Sequence, residues 1–124
     1  MTTLYAICGE NEIQNRRAKA FNLLREEPGQ APRPWCIFIV RWDKTFYGYV
    51  NRCPHEEVNL DWERNQFLES GGKRIICGKH GSLFELATGL CIEGRCVGKS
   101  LEPVALCVVD GDVCVTGVTL AEDA

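Results

Sequence analysis

Two short stretches, Cys53-Pro54-His55 and Cys77-Gly78-Lys79-His80, constrain this chain more than any other part of it. An intervening stretch of 21 residues separates them. Each supplies one thiol and one imidazole, close enough in sequence that both must come from a single tight loop. His55 and His80 are the only histidines in the chain, and each sits beside a cysteine at ligand spacing. Two loops that each offer a soft sulfur and a borderline nitrogen describe a metal site held between them. Any fold for this sequence must bring those two loops together.

The rest of the composition is that of one ordinary domain. A chain of 124 residues can bury a real core. Its 45% apolar and 25% charged residues suit a water-soluble globular protein. The longest apolar runs, such as Cys36-Ile37-Phe38-Ile39-Val40, are strand-sized and far short of a membrane span. Met1-Thr2-Thr3-Leu4-Tyr5 lacks the basic-then-apolar layout of a signal peptide, so a cytoplasmic location is expected. A net charge of −3 argues against nucleic acid as a partner, because neutralising phosphates needs a basic face. In a reducing cytosol the eight cysteines point to ligation and burial rather than to a disulfide scaffold.

Along the chain, Leu4 to Ile7 reads as a first strand, ended by Cys8-Gly9-Glu10-Asn11. Ile13, Arg17, Phe21 and Leu24 fall at helical spacing. Pattern alone therefore favours a helix there, with a strand over Ala18 to Leu24 as the other reading. Glu26 to Pro34, with three prolines in seven positions, is a loop. Trp35 to Arg41 is a buried strand, and Phe46 to Val50 a second one that delivers the chain to Cys53. Gln66 to Glu69 and Lys73 to Ile76 are short extended pieces, with Ser70-Gly71-Gly72 as the turn between them. Leu83 to Leu86 is expected as a strand, Ala87-Thr88-Gly89 as a turn, and Cys91 to Ser100 as loop. Leu101 to Val109 and Val113 to Thr116 form the clearest hairpin, joined at Asp110-Gly111-Asp112. The expectation is a small all-β domain.

Two histidines in place of two cysteines on one iron of a [2Fe–2S] cluster leave the cluster less negative and raise its reduction potential. A neutral imidazole also retains a titratable ring N–H, so electron uptake can couple to proton uptake. The motif suits that arrangement, with Cys53 and Cys77 on one iron and His55 and His80 on the other. Asn51 to His55, followed by Ile76 to Glu85, resembles the two-loop signature of Rieske ferredoxins and Rieske domains. The similarity continues through Thr88-Gly89, Gly98 to Leu101, Pro103-Val104 and the closing hairpin, over roughly residues 35 to 116.

This resemblance implies an all-β fold of three antiparallel sheets in a single domain spanning residues 1–124. A base domain would be formed by residues 1–50 and 97–124, with a cluster-binding subdomain inserted at about residues 51–96. A Cys₂His₂ zinc site uses the same ligand types, but a one-residue gap between Cys53 and His55 is atypical of zinc fingers.

Departures from the family pattern bear on redox tuning. High-potential members in cytochrome bc complexes carry a cysteine in each loop, joined by a disulfide. Val58 and Lys79 stand at those positions here, so that disulfide is impossible. Those proteins also place a serine and a tyrosine after the last histidine as hydrogen-bond donors to sulfur. Ser82 is present, either facing the cluster or satisfying loop backbone groups, whereas Phe84 replaces the tyrosine. Fewer donors to sulfur stabilise the reduced cluster less. The expected potential lies toward the low end of the Rieske range, nearer about −150 mV than about +300 mV. Arg95 stands where the family often has a proline that covers the cluster, and Glu57 where a glycine is usual. Glu56 and Glu57 either modulate His55 and partner choice or belong to a solvated loop.

Cys8, Cys36, Cys107 and Cys114 read as buried strand thiols, with Cys107 opposite Cys114 if the last hairpin has a two-residue turn. Cys91 and Cys96 are either reduced structural thiols, a redox-sensitive pair or a second metal site.

No histidine is left over for a mononuclear iron site, and the chain has no glycine-rich dinucleotide fingerprint. No catalytic residue is assigned. The expected function is a one-electron carrier between a reductase and an oxygenase or other redox partner, docking at a tip that includes Glu56, Glu57, Lys79 and Leu83. The alternatives are a redox-sensing or accessory subunit of a larger complex and, further off, a zinc-binding module.

Overall fold

A computed structural model describes residues 4–54, 59–61, 65–69, 74–78 and 81–121. Its strands are β1 (Tyr5–Gly9), β2 (Arg17–Glu26), β3 (Arg33–Trp42), β4 (Thr45–Val50), β5 (Arg74–Ile76), β6 (Leu83–Glu85), β7 (Cys91–Glu93), β8 (Pro103–Val104), β9 (Leu106–Val109), β10 (Asp112–Val115) and β11 (Thr119–Leu120). They form three antiparallel sheets, in the orders β1-β10-β9, β11-β2-β3-β4-β8 and β5-β6-β7. A short 3-10 turn follows β1. The fold is the all-β, three-sheet architecture that the sequence led us to expect.

Strand β3 explains why the sheets stack as they do. Ile37, Phe38, Ile39 and Val40 are each 0% exposed, so both faces of the strand are covered. Such a strand reads as a continuous apolar run rather than an alternation. Ile39 packs with Cys8, Ile13 and Val113, and Ile37 with Val104 and Val115, on the face toward the β1-β10-β9 sheet. Phe38 and Val40 point the other way, into a cluster that holds Tyr49, Phe67, Phe84 and four cysteines. Phe67, from the stretch between the two motif loops, stacks on Phe38 with ring centroids 4.2 Å apart.

The helical reading of residues 13 to 24 gives way to strand β2. Nine residue pairs from Arg17↔Arg41 to Arg25↔Arg33 lock it to β3. Its period-2 alternation places Ala18 and Ala20 on the Phe38 side and Phe21 and Leu23 on the other. Cross-strand pairing to a buried neighbour overrides the local spacing.

Three smaller corrections have similar causes. Cys91–Glu93 is a strand, not loop, because it pairs with β6. The predicted strand Leu101 to Val109 breaks at Ala105, so that β8 joins β4 while β9 joins β10. Strand β11, unforeseen, closes the edge of β2. The last hairpin is as expected: Val109 pairs with Asp112 across Asp110 (φ 50) and Gly111 (φ 82), a two-residue turn of the primed type. Cys107 accordingly sits opposite Cys114. The turn expected at Ser70-Gly71-Gly72 lies outside the described residues.

Candidate metal centre

The cysteines of the split motif both leave strands and enter the same core. Cys53 lies just beyond β4 and Cys77 immediately follows β5. Each is 0% exposed, in one apolar cluster with Phe38, Val40, Phe84, Cys91 and Cys96. His55 and His80 lie outside the described residues, as do Glu56, Glu57, Val58 and Lys79. Leu83, expected at the docking tip, is half-buried in β6.

Hydrogen bonds from side chains and backbone fasten the two loops to each other and to β2. The buried carboxamide of Asn51 accepts the Leu60 N–H at 2.8 Å and donates to Asp61 Oδ1 at 2.9 Å. Asp61 Oδ2 accepts the Asn65 N–H at 3.1 Å, and Asn65 Oδ1 accepts the Ala20 N–H of β2 at 2.8 Å. The Leu60 carbonyl then accepts the Gly78 N–H at 2.8 Å, joining the first loop to the second. That second loop closes on itself, with Cys77 N–H donating to the Ser82 carbonyl (2.9 Å) and Gly81 N–H to the Cys77 carbonyl (2.7 Å). Gly81, at φ +73, supplies the left-handed conformation the reversal needs.

A third segment completes the wall. Gly94 adopts φ +105 with its backbone pressed on Ser82; a Cβ there would lie 2.6 Å from Ser82 Oγ and 2.8 Å from Ser82 Cα. Two residues on, Cys96 Sγ lies 3.7 Å from Cys53 Sγ, and both side chains are fully buried. Cys96 therefore meets Cys53 rather than Cys91, whose thiol donates to the Glu93 carbonyl at 3.4 Å. Arg95, at the position of the family's proline, is exposed. Phe84 is 0% exposed and offers no hydroxyl.

From the base, the Tyr49 hydroxyl donates to the Leu86 carbonyl at 2.8 Å, supporting the turn after β6. Burial, with Tyr47 nearby, pushes the Tyr49 phenol up to about 12. Sequence reasoning missed Asn51, Asp61, Gly94 and the Cys53–Cys96 contact. The Asn51-Arg52 dipeptide before Cys53 was the only available hint.

Ser82 tests whether a cluster fits. Its side chain is 0% exposed, and Oγ has no hydrogen-bond partner among the described residues. Leaving a buried hydroxyl unpaired costs about 1–3 kcal/mol, so the site calls for an acceptor. Sulfur beside two buried cysteines is such an acceptor, and the residues present fit the group.

The other cysteines differ in kind. Burial pushes the Cys8 and Cys114 thiols up, which suppresses the reactive thiolate, as structural cysteines require. Cys36 and Cys107 are only half-buried, short of the full burial expected for them.

A small all-β protein whose paired loops sink two cysteines into one core beside a serine hydroxyl belongs to the class of cluster-binding β domains. The chain matches the Rieske [2Fe-2S] domain over residues 3–114 and belongs to that family, whose cofactor is the [2Fe–2S] cluster. No curated protein sequence matches it. Among solved structures, it is similar to a chain in the complex of reduced oxygenase and oxidized ferredoxin in carbazole 1,9a-dioxygenase. The identity is 23% and the TM-score 0.65, over 96% of this chain and 97% of that one. It is also similar to the ferredoxin of carbazole 1,9a-dioxygenase from Nocardioides aromaticivorans IC177, at 19% identity and TM-score 0.69, over 91% and 96% of the two chains. A further oxygenase–ferredoxin complex of carbazole 1,9a-dioxygenase gives TM-score 0.71 at 19% identity, over 90% of this chain and 27% of that one. These likenesses are of fold. No helix among the described residues is long and apolar enough to cross a membrane.

Proposed function

We propose that this chain is a one-electron carrier in which Cys53 and Cys77 hold one iron of a [2Fe–2S] cluster and His55 and His80 the other. The observation that carries this reading is the burial of Cys53 and Cys77 in one core beside the unpartnered Ser82 hydroxyl. When bound, such a cluster supplies reversible storage of a single electron at a potential set by its ligands and their hydrogen bonds. The chain's own residues do the rest. Cys53 and Cys77 keep water from their sulfurs by lying against Phe38 and Phe84. Ser82 donates its hydroxyl to sulfur. His55 and His80 each keep a titratable ring nitrogen that holds or releases a proton as charge changes.

The division of labour follows: residues 1–50 and 97–124 act as the base, and about 51–96 as the part that carries the cluster. No residue is given a role in turning over substrate, so activity belongs to a partner. The solved oxygenase–ferredoxin complexes to which the chain is similar support an oxygenase as acceptor; the donor in this reading is a reductase. Contact is made at the cluster end, where Val97, next to Cys96 in the third segment, is 63% exposed. The net charge of −3 favours a protein partner over nucleic acid, and a cytoplasmic location fits the reduced cysteines.

Purification and reduction test this. Two irons and two sulfides per chain, and an EPR signal of low average g on reduction, are expected. So is re-oxidation by an oxygenase of the aromatic-ring type. A colourless protein loaded with zinc refutes it.

A further inference from the structure

Cys96 has no place in the expected ligand set, yet its sulfur lies 3.7 Å from that of Cys53, inside the core. Sequence separation makes this contact a product of the fold. Two features hold Cys96 there. Gly94 is pressed against Ser82 with φ +105, and the Cys96 carbonyl accepts the Lys99 N–H at 2.8 Å, which closes the third segment on itself. Neither sulfur is exposed, so water does not compete for the contact.

We propose that Cys96 is a positioning residue that donates its S–H to the sulfur of Cys53 when Cys53 is a metal ligand. This rests on the ligand assignment above. A metal-bound cysteine is a thiolate and carries no hydrogen, so the only S–H in the pair belongs to Cys96. In a dry, low-dielectric core a single weak donor counts for more than it does in water. Donation to a ligand sulfur favours the reduced, more negative state and raises the potential. Cys96 thus supplies from the third segment part of what is lost where Phe84 stands in place of tyrosine. It also ties the third segment to the first loop, in a chain whose Val58 and Lys79 exclude a disulfide between the first two.

Cys96→Ala and Cys96→Ser, both loaded with cluster, provide the test. Cys96→Ala is expected to keep its iron and sulfide but to be about tenfold harder to reduce at a fixed donor potential. That is a fall of about 59 mV for a one-electron couple. Cys96→Ser, whose hydroxyl can donate, should recover part of that shift. Infrared spectra of the S–H stretching region offer a second measurement on the wild-type protein. A hydrogen-bonded, red-shifted S–H band is expected on loading and should be missing from Cys96→Ala. Wild-type potentials in both variants, or no red-shifted band on loading, overturn the proposal. Cys53→Ala and Cys77→Ala separate the two levels of inference. If either keeps its cluster, the ligand assignment fails, and this proposal with it. If both lose it while the Cys96 variants titrate like wild type, only the role of Cys96 fails.

Discussion

Strands of very different length meet across β3. On one side, β2 and β3 each run for ten residues, β3 pairs on to β4, and the β1-β10-β9 sheet packs against them in a regular stack. On the other, β5, β6 and β7 have three residues each. A sheet of such short strands has few ladder bonds, so side chains and glycines must hold it. Asn51 and Asp61 bond the first loop, Tyr49 braces the turn after β6, and Gly94 seats the third segment. The difference teaches that the base is stabilised by apolar burial along strands. The cluster end depends on individual polar and steric contacts, and single substitutions there should have outsized effects.

Removing a proposed ligand gives the largest expected effect and the sharpest split between the ends. Cys53→Ala or Cys77→Ala should abolish iron binding altogether, read as metal content and visible absorbance. Slow amide exchange in β3 should persist, because Ile37 and Ile39 pack against Val104, Val113 and Val115 and not against Cys53 or Cys77. Loss of β3 protection along with the iron would mean that the two ends are one cooperative unit.

Next comes a pair of glycines in the same segment. Gly94→Ala would force a Cβ to 2.8 Å from the backbone of Ser82 at φ +105, whereas Gly98, at φ +93, has nothing within 4 Å. Both variants carry backbone strain of about 1–2 kcal/mol. Only Gly94→Ala adds overlap, for a total of about 4 kcal/mol or more in denaturant unfolding. Equal losses at the two positions would show that contact with Ser82 is unimportant.

Asn51→Ala should cost about 2–3 kcal/mol, because it leaves the Leu60 N–H without its acceptor and removes the donor to Asp61 Oδ1. Its effect should fall on the loops. The Gly78 N–H bond to Leu60 should lose exchange protection before any β3 amide does.

How far these features can be read from sequence depends on whether their cause is local. The run Ile37 to Val40 and the Asp110-Gly111 turn carry their own signal, and both are found where expected. Cys53 and Cys77 could be singled out because ligand chemistry demands particular residues at particular spacing, and the fold buries both in one core. Strand β2 was ambiguous because Ile13, Phe21 and Leu24 suit a helix and only the pairing to β3 decides. The break at Ala105 was invisible, since a strand that changes sheets keeps its apolar pattern. The approach of Cys96 to Cys53 joins residues 43 apart and depends on Gly94 meeting Ser82, which no local pattern announces.

Tyr49 tests the brace between the ends through pH. Its phenol is held near 12 in the fold against about 10 in an unfolded chain. The folded state therefore binds the proton more tightly. The stabilisation is complete below about pH 10 and is lost as pH rises toward 12. By pH 11 the loss should reach about 1.4 kcal/mol. In Tyr49→Phe the decline of the unfolding free energy between pH 9 and 11 should be shallower by that amount. An unchanged slope would mean that the phenol does not feel its burial.

Ser82→Ala has the smallest expected effect on stability and the most specific one on function. Its Oγ has no partner among the described residues, so removing it breaks no bond seen there. If the hydroxyl only satisfied the loop backbone, the variant would lose stability and keep its potential. If it donates to sulfur, the opposite holds: unfolding is unchanged or slightly improved, while the midpoint falls by roughly 50 mV, the equivalent of about 1 kcal/mol. The wild-type value bears on the same point. With Phe84 in place of a tyrosine, and Val58 and Lys79 where the high-potential proteins carry the cysteines of the loop disulfide, it should lie nearer about −150 mV than about +300 mV. A midpoint above about +200 mV would show that donors other than Ser82 dominate the site.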